Sequence, residues 1–162
     1  MKAFLGFGVF VENRAGRLGV PTRASFESWV KAAVHGRHEG RRQVNIVLFG
    51  EAEARAINRK YRGKDYATNV LSFAYEPLTG EKTGLLGDLV ICPAVVAREA
   101  LAQDKKTRDH YAHLTIHGTL HLLGFDHESA KGAARMEALE QKILAGLGIA
   151  DPYEIIAKPK KK

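Results

Sequence analysis

His113-Leu114-Thr115-Ile116-His117-Gly118-Thr119-Leu120-His121-Leu122-Leu123-Gly124-Phe125-Asp126-His127 places four histidines within fifteen residues, the last three spaced H-x3-H-x5-H. If Thr107 to Leu123 is helical, His117 and His121 lie one above the other on one face, about 6 Å apart along the axis. Imidazoles at that separation can tilt their nitrogens onto one cation at roughly 2.0–2.1 Å each. Gly124 is the first glycine after the apolar run, and it can take the left-handed conformation that stops a helix. The chain then doubles back and delivers His127 from the other side. Three nitrogens on one ion leave a fourth position for water, the arrangement of a catalytic rather than a structural zinc. His113 is also four residues from His117, but a 113/117/121 set would spread over about 12 Å along the helix and cannot meet one ion. A supporting place near the site is the alternative for His113, and a weaker candidate for His110.

The spacing matches the zinc-binding half of the metzincin motif H-E-x-x-H-x-x-G-x-x-H except at one position. Where those proteases carry glutamate, this chain has Gly118, so the general base of peptide hydrolysis is missing. Asp126 either orients a ligand imidazole or caps the last helix.

The 162 residues fit one domain, expected over 1–153, followed by a basic tail over 154–162 that is expected to be disordered. The single cysteine, Cys92, lies in an apolar run and reads as a small buried strand residue. No disulfide can form within the chain, which suits a reducing cytoplasm. Lys2 and the apolar residues after it lack the cleavage site of a signal peptide, and no run is long enough to span a bilayer. The formal charge of +7 points to a polyanionic partner, although Lys158, Lys160, Lys161 and Lys162 supply four of those charges.

Along the chain, Met1 to Val11 reads as a first strand, and Val20-Pro21-Thr22 as a turn and helix start. Phe26, Trp29, Val30 and Ala33 follow at helical spacing. Gly36 to Arg42 is a basic loop in which His35 and His38 read as surface residues. Strands are expected over Val44–Phe49, Asn69–Tyr75 and Gly87–Cys92, and helices over Glu51–Tyr61 and Pro93–Gln103. The long Glu76–Gly84 connection suits antiparallel pairing of the third and fourth strands. A last helix, Ser129 to Leu147, carries Met136, Leu139, Ile143 and Leu147 at core spacing. The histidine helix is apolar nearly all round, so it should be central and buried. The expected fold is α+β: a single mixed four-stranded sheet packed with about five helices.

A second constellation runs from Asn58 to Phe73. Arginine forks there match phosphate oxygens, and tyrosines can stack on unpaired bases. Asp88 reads as a strand-end hydrogen-bonding residue or as a buried acid near the cleft, and Ser72 and Thr68 as groups that satisfy the backbone. Together, Tyr61-Arg62-Gly63-Lys64-Asp65-x-x-Thr68-Asn69-Val70-Leu71-Ser72-Phe73, Leu86-Gly87-Asp88-Leu89-Val90-Ile91-Cys92 and His117 to His127 resemble the YbeY family of bacterial endoribonucleases. The resemblance runs from about Val44 to Tyr153, closing with Asp151-Pro152-Tyr153. It implies a metal-dependent, single-strand-specific endoribonuclease that trims the 3′ end of small-subunit ribosomal RNA and takes part in ribosome quality control. It also implies one zinc ion per chain held by His117, His121 and His127, with Arg62 needed for activity. Imidazole also suits nickel, copper and iron. Three neutral histidines leave zinc its full charge, which lowers the pKa of bound water without a separate base. The attacking oxygen belongs to water or to the substrate's 2′-hydroxyl. A hydrolase of another substrate, or a ribosome-associated binding protein with a structural metal, are the competing readings.

Overall fold

The computed structural model describes residues 8–17, 19–37, 43–81 and 83–153. Over these the chain runs β1 (Gly8–Asn13), α1 (Arg23–Val34), β2 (Gln43–Leu48), α2 (Glu51–Arg62), β3 (Val70–Ala74), β4 (Leu85–Ile91), α3 (Pro93–Ala102), α4 (Thr107–Leu122) and α5 (Ala130–Gly146). This is the expected α+β arrangement of one four-stranded sheet and five helices. Met1 to Phe7, His38 to Arg42 and the lysine tail lie outside the described residues.

Strand order is β1-β2-β4-β3. The pairs β1–β2 and β2–β4 are parallel, so each needs a crossover long enough to hold a helix, and α1 and α2 occupy them. β3 pairs antiparallel with β4, with Phe73 opposite Asp88, as the Glu76–Gly84 connection suggested. That connection is tied by Glu81, whose carboxylate accepts from the Tyr75 hydroxyl at 2.8 Å and the Leu78 amide at 2.8 Å. β2 alternates strictly, with Val44, Ile46 and Leu48 buried and Gln43, Asn45 and Val47 only half-buried. Alternation of this kind means one face of the sheet is covered by helices and the other is wetter.

The covering layer is α1 and α4. Thr22 caps α1 by accepting from the Ser25 amide at 3.2 Å. Phe26, Trp29, Val30 and Ala33 are buried as their spacing predicts. Phe26 meets Trp29 and Tyr111 edge to face at 5.6 and 6.0 Å between centroids, which locks α1 to α4. α4 packs on β3 and β4 beneath, and on α1, α3 and α5 at its sides. That explains why it is buried nearly all round. α5 departs from the expected core stripe. Its buried row is Met136, Glu140 and Leu144, while Leu139 and Ile143 are only partly covered and Leu147 is exposed. The helix is rotated so that Glu140, in the row with Met136 and Leu144, faces α4. β3 is an edge strand, and it lines a cleft together with residues of α4. No described helix is long and apolar enough to cross a membrane.

Candidate metal centre

The centre is built by the way α4 ends. Leu123 caps its C-terminus, Gly124 takes a left-handed φ of +99°, and two backbone bonds close the turn. The Phe125 amide reaches the Leu120 carbonyl at 3.1 Å, and the Gly124 amide the His121 carbonyl at 3.0 Å. This is the Schellman pattern, which leaves the chain running back along the helix it has just left. The same turn aims the Phe125 carbonyl at His121, whose Nδ1 donates to it at 3.0 Å. It also carries His127 over the other two rings, with centroids 5.5 Å from His117 and 4.9 Å from His121.

His117, His121 and His127 each offer a nitrogen within 4.8 Å of the others. The Nε2 atoms of His117 and His121 are 3.1 Å apart. His117 Nδ1 faces the Glu140 carboxylate at 2.5 Å, and His121 Nδ1 faces a carbonyl. Both partners only accept, so each Nδ1 carries the proton and each Nε2 is left with a lone pair. Two lone pairs pointing at each other across 3.1 Å repel unless a positive charge lies between them. The donor set and its geometry therefore fit a cation. Burial, then the neighbouring His117 and His127, push the His121 pKa down and keep it neutral, the state a ligand needs.

Glu140 is the functional residue that the sequence reading missed. It is 0% exposed. Its carboxylate accepts from His117 Nδ1 and, on its other oxygen, from the Tyr153 hydroxyl at 2.5 Å. His113 Nε2 donates to the Tyr153 oxygen at 3.2 Å and lies 3.5 Å from Glu140. Burial alone would raise the Glu140 pKa, but the bonds from His113, His117 and Tyr153 outweigh it and hold the group at about 2. Burial and the Glu140 charge push the Tyr153 phenol up, so it stays protonated and donates. His113, His117 and Glu140 also lie close enough to hold an ion, yet the hydrogen bonds among them and Tyr153 already use the facing atoms. His113 thus supports the carboxylate that supports His117. A signal did exist for Glu140: it sits four residues from both Met136 and Leu144, in a row otherwise apolar.

Gly118 has a packing reason. A Cβ there would come within 2.8 Å of Leu89 Cδ2 and 3.1 Å of Ser72 Oγ. This position faces the sheet and not the three histidines, and Ser72 donates to its carbonyl at 3.1 Å. Asp126 does neither of the two things expected of it. Its carboxylate accepts from the Glu128 amide at 3.2 Å inside the loop, and Ser129 caps α5 instead by accepting from Gly132. Asp88 accepts from Asn45 across the sheet at 3.0 Å, and Cys92 is buried at the start of α3. His110 is buried against Glu99 at 2.9 Å, away from the three histidines. His35 is exposed, and His38 lies outside the described residues.

The histidines open onto a cleft of about 850 Å³ that is also lined by Asn58, Arg62, Lys64, Tyr66, Thr68 and Asn69. Arg62 is the last residue of α2, with Gly63 behind it in the left-handed conformation. Its guanidinium lies over the Phe73 ring at 4.9 Å and donates to the Ser72 carbonyl at 3.0 Å. The fork is thereby anchored on β3 through Nη2, while Nη1 makes a longer bond of 3.4 Å to the Tyr61 carbonyl.

A family model for Endoribonuclease YbeY matches residues 10–148. The chain belongs to the YbeY endoribonuclease family. The match begins in β1, so membership takes in most of the N-terminal forty residues that the three motifs left out. The Endoribonuclease YbeY of Alkalilimnicola ehrlichii is 54% identical over 144 residues, spanning 87% of each chain. That of Xanthomonas axonopodis pv. citri is 57% identical over 142 residues, 85% of this chain and 87% of its own. The solution structure of TM1509 from Thermotoga maritima superposes with a TM-score of 0.55 at 22% identity, over 90% of this chain and 99% of that one. At that identity the likeness is one of fold. YbeY enzymes are by name hydrolases of internal RNA phosphodiester bonds, a task for which a cleft joining a cation site to an anchored arginine is suited.

Proposed function

We propose that this chain is a zinc-dependent endoribonuclease of the cytoplasm. It cleaves single-stranded RNA, matures the 3′ end of small-subunit ribosomal RNA and serves ribosome quality control. The observation that carries the reading is the pair of Nε2 lone pairs held 3.1 Å apart while both Nδ1 atoms are committed elsewhere. His117, His121 and His127 would hold the ion. When bound, zinc supplies Lewis acidity and brings the pKa of adjacent water towards neutrality. Glu140 and the Phe125 carbonyl fix two of the rings in the ligating tautomer. Arg62, held on Phe73 and Ser72, is set to receive the non-bridging oxygens of a phosphodiester as their charge grows. Lys64 adds a second positive group in the same cleft.

A peptidase reading is disfavoured by Gly118, where a glutamate would have to enter the helix–sheet interface. Metal analysis of the purified chain, with cleavage of single-stranded RNA and of casein before and after chelation, tests the proposal. One bound zinc and chelator-sensitive RNA cleavage are expected, and proteolysis without RNA cleavage would overturn it. Arg62→Ala should retain fold and metal while losing about a hundred- to a thousandfold in kcat. Arg62→Lys should rescue little of this, since an ammonium cannot bridge two oxygens in a fork. An Arg62→Ala chain that cleaves normally in the tube would remove Arg62 from the chemistry.

A further inference from the structure

Tyr66 stands out on the cleft wall. It is 53% exposed. Among the described residues its side chain has no ring, cation or hydrogen-bond partner. The other large aromatics near it are engaged: Tyr61 packs edge to face on Phe73 at 5.3 Å, and Phe73 carries Arg62. An unpaired tyrosine on a floppy loop would mean little, but this loop is braced from both sides. Arg55 holds the preceding Asp65 through two parallel bonds of 2.8 and 2.9 Å. Asn58, only 1% exposed, donates to the Tyr66 carbonyl at 2.8 Å. A buried amide is thus committed to fixing the backbone of a residue whose ring is half exposed and makes no hydrogen bond, ring or cation contact among the described residues. Tyr66 lines the cleft together with Arg62, Lys64 and Thr68. Cationic groups that match phosphates, interleaved with an open aromatic face, make the signature of a single-strand nucleic-acid path.

We propose that Tyr66 is a stacking platform for an unpaired base of the RNA strand lying in this cleft, and that it contributes to the preference for single strands. This rests on the ribonuclease reading and deepens it. In a duplex the faces of each base are covered by its neighbours, so a lone ring has nothing to stack on. In a single strand a base can turn out and lie on the phenol, while the flanking phosphates meet Arg62 and Lys64.

The test is an anisotropy titration of the full-length chain, held with a chelator to prevent cleavage, against a short fluorescein-labelled single-stranded oligoribonucleotide and its duplex. Tyr66→Ala and Tyr66→Leu should weaken single-strand binding by roughly five- to a hundredfold, as loss of one stacked base does. Tyr66→Phe and Tyr66→Trp should bind like the parent. Leucine fills similar space without a π face, so its loss separates stacking from mere volume. The ratio of single-strand to duplex affinity should fall in the alanine and leucine chains. An abasic residue walked along the strand should weaken the parent at one position and leave Tyr66→Ala unaffected there. Thermal melts of all four variants should lie close to the parent, since the half-exposed ring has no ring, cation or hydrogen-bond partner among the described residues. Parent-like binding by Tyr66→Ala, or a Tyr66→Phe chain as weak as Tyr66→Ala, would overturn the platform and leave the ribonuclease reading standing. A parent chain that neither binds nor, with its metal, cleaves RNA would overturn both.

Discussion

Glu140 shows how much one carboxylate can decide. An ionised acid with no exposed surface is tolerated only when its oxygens are satisfied, and here His117 and Tyr153 each give it a short bond. In return its charge pins the proton on His117 Nδ1 and makes Nε2 a better donor to a cation. Glu140→Gln keeps the volume and one acceptor oxygen but removes the charge. Metal affinity, read by competition with a chromogenic chelator, should fall about tenfold to a hundredfold, with the far-ultraviolet dichroism unchanged. Undiminished affinity would mean that the carboxylate is only a packing group. The clustering of His117, His121 and His127 could be read from sequence because helix spacing and a stop glycine are local signals. Glu140 could not be read the same way. A charged residue on a helix is normally solvated, and the partner that reverses this lies 23 residues back in the chain.

At the scale of the element, α4 was legible because its apolar surround and its terminator both lie within its own sequence. The order β1-β2-β4-β3 was not, since which parallel strands pair depends on how α1 and α2 cross the sheet. The rotation of α5 was misjudged for a related reason: Leu139, Ile143 and Leu147 mimic a core stripe, and only contact with α4 decides which face turns in. Gly118 is where element and chemistry meet. The helix approaches the sheet so closely that Leu89 Cδ2, Ser72 Oγ and Val70 Cγ2 occupy the space around an added Cβ. Restoring the metzincin glutamate by Gly118→Glu would press an unpaired carboxylate against Leu89 and Val70. The cost should be at least about 3 kcal/mol from overpacking and burial of charge. For a chain of this size that is roughly a 6–12 °C fall in Tm. Gly118→Ala should lose less, because better helix propensity offsets part of the crowding. A glutamate variant that melts like the parent would show that this helix face is not committed to the sheet.

Across the whole molecule, stability and the working site share α4, so acid should unsettle both. His110 lies on this helix, buried with its ring against Glu99. Two influences oppose each other there. The carboxylate favours a proton on the ring, while burial, the larger effect, disfavours it, with Lys105 and His113 adding to the second side. The net result is a His110 pKa below its ordinary value in the folded chain. Unfolded, the same ring titrates near 6.5. Above that pH neither state carries the proton, and the stability is fully present. As pH falls through about 6.5 the unfolded chain takes up a proton that the folded chain refuses, so stability declines until the lower folded value is passed. His110→Gln removes this titration while keeping a side chain able to donate to Glu99. Tm measured from pH 8 down to pH 5 should therefore drop more steeply for the parent than for His110→Gln, with the two profiles parallel above about 7. Groups common to both chains cancel in the difference. If the steeper fall belonged to the variant, Glu99 would have outweighed burial, and His110 would be a charged partner in an ion pair within the core.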